Sequence, residues 1–525
     1  MPQTQPLPAA ADDAGPLAHA SAAPATTQTG RIMVLLAAFL GWMFDGMEMG
    51  IFPQVARPSL ASLMPGASEG DIGYWHNVID ALFLGGAALG GLVFGWLGDK
   101  IGRVRSMSAS ILVYSLFTGL CYFAAAPWHI GVLRFVSAIG MGGEWALGVA
   151  LVMEVWPANL RPLMAGIIGA ASNVGFLMIA AVCYVFPVDA TNWRYIMLIG
   201  AVPALVTFFI RIFVPESEKW EESQKHGPTA PLREAFAGRT IKVMLLAILF
   251  ASVALLGTWG AVQKIPAWVG NMPVASQRGL AAKDGVLIGL DGTVDAGGLK
   301  VAEVLPGSSA AGAGIAVGSV VTAVNGTPVT ARADLLGAVA GKKPGDVVTL
   351  GVATNGVAAT VPLKLDRWEP DKKAKAVTGM LSAAGAILGC IVAPLIGAAL
   401  GRRAAYFLLC LSSLVVCAAL FRGFDRYDGT FMLMTFLAGG TSAAFYGWLP
   451  LYLPELFPTR VRATAQGIAF NFGRIFAACG ALAGGQLVAI WGDYGRMAAT
   501  LSLIYAVGLV AIWFAPETKG KPLPE

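Results

Sequence analysis

Twelve times between Ile32 and Phe514 the chain runs for some twenty residues with few or no charges, the length an α-helix needs to cross the ~30 Å hydrocarbon core of a bilayer. The pattern predicts spans over 32–54, 72–97, 106–126, 129–153, 162–186, 193–214, 241–263, 376–400, 404–422, 429–453, 463–489 and 493–514. Composition agrees: 56% of residues are hydrophobic and 13% charged, against about a quarter charged in soluble domains. The expected class is an all-α membrane protein with the lipid bilayer as its solvent.

The formal charge of +5 is small for 525 residues and the bases are scattered, which gives nucleic acid no footprint. All six cysteines fall inside predicted spans, away from any CxxC or Cys/His cluster, so they are expected to pack as small apolar residues. No metal or cofactor is implied. Residues 1–30 are rich in Ala, Pro, Gln and Thr and are expected to form a disordered cytoplasmic tail.

The chain repeats itself. "EVWPANLRPLMAG" at 154–166 matches "ELFPTRVRATAQG" at 455–467 through Glu154/Glu455, Pro157/Pro458, Arg161/Arg462 and Gly166/Gly467, each pair 301 positions apart. "PESEK" at Pro215 and "PETKG" at Pro516 keep the same offset, and "IGR" at Ile101 is echoed by "LGR" at Leu400. The first and seventh spans open only about 209 positions apart, so about 92 residues were added after the seventh span of a duplicated six-plus-six bundle. The domains expected are an N-terminal half over 31–215, a cytoplasmic linker over 216–240, the seventh span over 241–268, an insert over 271–368, the rest of the second half over 374–516 and a cytoplasmic tail over 517–525.

The insert differs in kind. "GGLKVAEVLPGSSAAGAGIAVGSVVTAVNGTPV" (297–329) alternates apolar with small or polar residues and turns at Asn325-Gly326, the habit of a β-rich soluble domain. Lys and Arg gather on one side of the spans, at Lys100, Arg103, Arg105, Arg161, Arg402, Arg403, Arg460, Arg462, Lys519 and Lys521. That asymmetry predicts cytoplasmic termini and an outward, periplasmic insert, in a bacterial inner membrane.

"GWLGDKIGRVR" (95–105) resembles the loop signature of the major facilitator superfamily between its second and third spans, with Gly95, Asp99, Gly102, Arg103 and Arg105 in matching places. "PESEKW" and "PETKGKPLPE" are similar to half-ending motifs of the sugar-porter-like and metabolite:proton symporter branches. The resemblance implies a twelve-helix bundle of two six-helix halves. It also implies a cytoplasmic gating network in which these residues join Glu154, Arg161, Glu455 and Arg462. A sugar or other metabolite facilitator is the alternative. The seventh span "LFASVALLGTWGAVQKIPAW" lacks the Gln-Gln-rich stretch of sugar porters, and Gly169 stands where they carry Gln. "FDGMEMG" (44–50) and "GMGGEW" (140–145) resemble motifs of the organic-acid proton symporters.

Charges inside a bilayer are costly and mark function. Asp45 and Glu48 stand three apart, on one helical face. The resemblance places a fourth-span arginine, Arg134, opposite them. Burial favours the protonated carboxyl and a nearby guanidinium the ionised one, so a motion that separates the pair changes its hold on a proton. Asp45 is expected to carry the proton with Arg134 as counter-ion, and Glu48 and Glu144 to share that role or to hydrogen-bond between helices. Arg474 lies near the middle of the eleventh span and can clamp a carboxylate with two parallel hydrogen bonds. Asn471, one turn earlier, and Tyr446 on the tenth span complete the expected substrate site. The function implied is proton-coupled symport of a small organic anion, a carboxylate or aromatic acid, by a monomer.

The stretch 284–365 resembles a bacterial PDZ domain, with "RADLLGAVA" as its helix and a second hairpin through Asn355-Gly356. The resemblance implies peptide capture by strand addition, with Leu287, Ile288, Gly289 and Leu290 as the loop that takes the C-terminal carboxylate of a peptide or protein and with Leu335 and Val339 on the facing helix. A second alternative follows, a transceptor or scaffold whose insert binds an envelope protein. No GxSxG or HExxH is present and the four histidines are dispersed, so an enzyme is not expected.

Overall fold

The structure is a computed structural model that describes residues 28–67, 69–205, 240–269, 281–282, 286–295, 297–367, 373–424, 427–458, 461–491 and 494–524. The first half comprises α1 (Gln28–Leu63), α2 (Glu69–Ile101), α3 (Arg103–Leu120), α4 (Pro127–Gly142), α5 (Glu144–Val155), α6 (Arg161–Val185) and α7 (Trp193–Ile199). Then come α8 (Thr240–Gly260), α9 (Ile265–Val269) and the insert, whose short helices are α10 (Ser309–Gly312) and α11 (Arg332–Val339). The second half continues with α12 (Ala374–Leu400), α13 (Arg402–Gly423), α14 (Gly429–Ala443), α15 (Phe445–Leu456), α16 (Arg462–Trp491), α17 (Tyr494–Leu501) and α18 (Ile504–Ala511).

Ten helical stretches among the described residues are long and apolar enough to cross a membrane. Residues 1–27 of the expected tail, all but Thr240 of the expected linker, and the sixth span beyond Leu205 lie outside the described residues. The first span is longer than expected: α1 starts at Gln28 and runs on past Pro53 and Pro58 to Leu63. The expected fourth span is two helices broken at Gly143, where any side chain would overlap Phe94 of α2. The expected tenth is likewise α14 and α15, broken at Ala444, and the twelfth divides into α17 and α18. Five cysteines are buried as expected, but Cys479 on α16 is exposed.

The halves share more than sequence. Gly102 and Gly401 both adopt the left-handed region (φ 109° and 101°), where glycine is favoured, and each starts a helix whose first residue, Arg103 or Arg402, is buried. Arg161 Nε donates to the Met153 carbonyl at 3.1 Å, and Arg462 Nε donates to Pro454 at 3.2 Å, one bond repeated 301 residues later. The halves meet where α2 packs against α16 and α6 against α12. Glycines permit the approach: a Cβ at Gly169 would overlap the backbone of Tyr446 and Gly447, and one at Gly91 the Asn471 side chain.

Between α9 and α12 the described chain forms nine antiparallel strands. β1 (Ala281–Ala282), β2 (Val286–Leu287) and β9 (Asp366–Arg367) form a small sheet in the order β1-β2-β9. β3 (Leu290–Asp295), β4 (Gly298–Val304), β5 (Val320–Val324), β7 (Val347–Thr354) and β8 (Val357–Lys364) follow one another in a second sheet, and β6 (Thr327–Pro328) pairs with β5. The turns fall at Asn325-Gly326 (φ 46°, 82°) and Asn355-Gly356 (φ 52°, 82°), the two-residue geometry that Asn-Gly favours. This region has its own apolar core, built on Val286, Leu299, Val321, Leu335, Val339 and Leu350.

Candidate functional site

α1 brings the two expected acids into the middle of the bundle, and both are fully buried. Glu48 Oε1 accepts hydrogen bonds from Thr118 Oγ1 at 2.9 Å, Arg134 Nη1 at 3.1 Å and Ser137 Oγ at 3.2 Å. The Arg134 guanidinium is held between the rings of Phe83 and Phe52, 4.4 and 4.8 Å from their centres, a cation–π setting. The counter-ion expected for Asp45 therefore bonds Glu48 instead. Three residues along a helix rotate the side chain by about 60° from its neighbour on the same face, and only Glu48 turns toward the hydroxyls of α3 and α4.

Asp45 meets a different partner. Its carboxyl lies within hydrogen-bonding reach of the Glu144 carboxyl, and none of the four oxygens has a donor among the described residues. Glu144 reaches this place because it opens α5 directly after the break at Gly143. On the other side Gly41, one turn before Asp45, leaves the space: a Cβ there would overlap the Glu144 carboxylate. The second half contributes Arg474, 2% exposed and near enough to Asp45 for the charges to interact. Arg474 Nη1 donates to Asn471 Oδ1 at 2.9 Å, and Asn471 Nδ2 donates to the carbonyls of Gly467 and Gly142. Asn471 thus ties Arg474 to the α4–α5 break. Beside Glu144, Trp145 stacks on Phe470 at 4.1 Å, with Trp42 6.4 Å from each. Tyr446 is buried 6.3 Å from Phe470, whereas Trp448 packs on Tyr406 and Tyr452 and donates to the Arg402 carbonyl, away from the site.

Ion pairs close both ends of the seam between halves. At one end Arg462 Nη1 lies 3.7 Å from Glu154 Oε1, and Arg161 senses Glu455 electrostatically. Glu455 also takes Arg402 bidentately, at 2.6 and 2.9 Å, and Thr518 Oγ1 at 2.6 Å. Gly95 faces Thr464 across the seam, Gly102 turns the chain into α3, Arg103 is buried and Arg105 exposed; the Asp99 side chain lies outside the described residues. At the other end Lys264 Nζ bonds Asp80 Oδ2 at 3.1 Å, with His76 Nε2 3.5 Å from the same oxygen. Sequence reasoning missed Lys264 because it sits one residue past the expected seventh span; a lysine inside "VQKIPAW" was the available signal.

In the insert Leu287, Ile288 and Leu290 are buried and Gly289 adopts φ 78°. The Gly289 carbonyl accepts from Leu305 N at 2.8 Å and Ser308 Oγ at 3.3 Å. β3 follows directly and ends the larger sheet, with β4 as its partner on one side. Leu335 and Val339 lie four apart on α11, on the face turned to the sheet, and are wholly buried in the same apolar core as Ile288 and Leu290 of the loop.

Comparison with known proteins bears on the bundle as a whole. A protein of Haemophilus influenzae assigned to metabolite transport is 26% identical over 503 residues, covering 93% of this chain and 97% of its own length. A gentisate transporter of Corynebacterium glutamicum is 28% identical over 378 residues, covering 69% of this chain and 80% of its own. The proton:xylose symporter XylE bound to 6-bromo-6-deoxy-D-glucose superposes with a TM-score of 0.62 at 14% identity, covering 94% of this chain and 98% of its own; it speaks for the fold alone. The model of the Major Facilitator Superfamily matches residues 34–339 and 349–525. With the repeated Gly-Arg corners and the two half-bundles meeting around buried charges, this chain belongs to the Major Facilitator Superfamily, a multi-pass membrane transporter.

Proposed function

We propose that the protein carries a small organic anion, a carboxylate or aromatic acid, across the inner membrane together with a proton. One observation carries the proposal: the Asp45 and Glu144 carboxyls lie side by side without a fixed donor, facing Arg474 from the opposite half. Two carboxyl groups in contact can bond each other only if one holds a proton. An entering carboxylate competes with Asp45 for the Arg474 guanidinium, and a proton on the acid pair then offsets the added negative charge. Asp45 is the carrier, Glu144 shares its proton, Arg474 and Asn471 bind the anion, and Tyr446 borders the site. Arg134 acts on Glu48 rather than Asp45. The gentisate transporter supports an aromatic acid as substrate.

The test is uptake of labelled 3-hydroxybenzoate and related acids by right-side-out and everted vesicles, with and without a pH gradient. Wild-type protein accumulates acid along the gradient; Asp45→Asn lowers accumulation about tenfold or more while retaining acid exchange. Gradient-driven accumulation by Asp45→Asn at the wild-type level defeats the proposal.

A second reading concerns the insert. Its strand order, with β3 at the end of the sheet directly after Leu287–Leu290, supports a PDZ-type domain that adds a peptide strand at β3 on the periplasmic side. A bundle that accumulates no acid, together with an insert that retains a peptide C-terminus, favours a sensor or scaffold.

A further inference from the structure

Between α1, α6, α12 and the turn joining α8 to α9 lies a cavity enclosing about 490 Å³, its open mouth included. Its walls carry Gln54, Asn173, Gln263 and Ser382 among apolar residues such as Phe176 and Ile179. That mixture, a small polar set in an apolar surround, is how small-molecule sites are built. No hydrogen bond or ion pair engages the side chains of Gln54, Gln263 or Ser382 among the described residues, while Asn173 spends its Nδ2 on the Gly169 carbonyl and Cys390 Sγ. All four are neutral. Gln54 stands nine residues beyond Asp45 on α1, roughly 13 Å by helical rise toward the end of the seam that Lys264 and Asp80 join. The cavity is thus distinct from the charged centre and precedes it on the way in from that end. Three of these four walls carry a base nearby in sequence: Arg57 one turn beyond Gln54, Lys375 one turn before Gly379, and Lys264 beside Gln263, the last with its charge offset by Asp80. Positive charge around a mouth draws anions in.

We infer that this cavity is a staging site, which hydrogen-bonds the neutral oxygen substituents of an incoming small carboxylate before the carboxylate reaches Arg474. The inference rests on the proposed transport of organic anions and divides recognition in two. The centre reads the carboxylate, and the outer amides and hydroxyl read hydroxyl or carbonyl groups elsewhere on the ligand. Hydroxylated acids are therefore captured ahead of unsubstituted ones of the same size.

The test compares 3-hydroxybenzoate with benzoate in reconstituted vesicles, and measures direct binding of 3-hydroxybenzyl alcohol, which has no carboxylate, to the purified full-length protein by calorimetry. Gln54→Leu with Gln263→Leu is expected to raise the KM ratio of 3-hydroxybenzoate to benzoate about three- to tenfold, the effect of losing one or two neutral hydrogen bonds. The same pair should weaken binding of the alcohol by a similar factor. Ser382→Ala, a smaller change, should move both readouts in the same direction and guards against misfolding of the double variant. Wild-type protein that does not bind the alcohol, or variants that leave both the ratio and the binding unchanged, overturn the inference even if acid transport stands. Alcohol binding that the substitutions abolish, in a protein that accumulates no acid, sustains the cavity and removes the transport proposal.

Discussion

Glu48 and Asp45 sit one turn apart on the same helix, equally buried, yet their surroundings differ in kind. Glu48 has three donors on a single oxygen, one of them a guanidinium itself clasped between two phenylalanines. Asp45 has another acid beside it and an arginine from the far half. All members of the first arrangement belong to one half, so a relative motion of the halves would leave it unchanged. The second is divided between halves at Arg474, so the same motion would change it. In the proposed mechanism a buried charge becomes a working part when one of its partners, here Arg474, lies across the seam between halves.

The largest expected effect tests the fixed member. Arg134→Leu strands Glu48 as an uncompensated buried charge, which costs about 3–5 kcal/mol, measured as loss of folded protein in thermal unfolding in detergent. The double variant Glu48→Leu with Arg134→Leu should recover most of it. A double variant no better than the single would place Arg134 among the working residues instead. Next comes Gly41→Ala, whose methyl falls on the Glu144 carboxylate and costs about 1–3 kcal/mol of overpacking. It should also push Glu144 off Asp45 and shift the pH dependence of uptake; a profile superimposable on wild type would unlink the acid pair from proton coupling.

The smallest effect uses a carboxylate outside the membrane as a reference. Partial burial pushes Glu517 up, but the backbone N–H groups of Arg402, Lys519, Arg403 and Thr518 outweigh it and hold the carboxyl below its ordinary range. A depressed folded value means that the stabilisation is present above the unfolded value, near 4.3, and is lost as pH falls through the folded one. Glu517→Gln should therefore lower thermal stability slightly at neutral pH, with the gap closing as the medium is acidified below about pH 4. A gap independent of pH would mean that these bonds do not depend on the charge.

Much of this was legible in the chain. The buried acids and Arg474 stand out because a charge in an apolar run is conspicuous, and the 301-residue offset located loops whose Arg161 and Arg462 bonds prove equivalent. The partner of Arg134 was not legible, since Asp45 and Glu48 share a face and the choice depends on Thr118 and Ser137, residues of no distinction in sequence. Gly41 gave no sign either: its role is the space it leaves for a side chain 103 positions away. The break at Gly143 follows a visible glycine doublet, while the matching break at Ala444 has no marker. I.e. the fold was written in periodicity, and the pairings were written in rotation.

Within the insert, β2 pairs with β9, Val286 opposite Arg367 and Leu287 opposite Asp366, so the strands where it begins and ends run side by side about 5 Å apart. To the bundle, some eighty residues thus occupy the footprint of a short hairpin. Such a module can be lifted out or exchanged by bridging its two adjacent stems with a few glycines and serines, and the transporter beneath would keep its geometry.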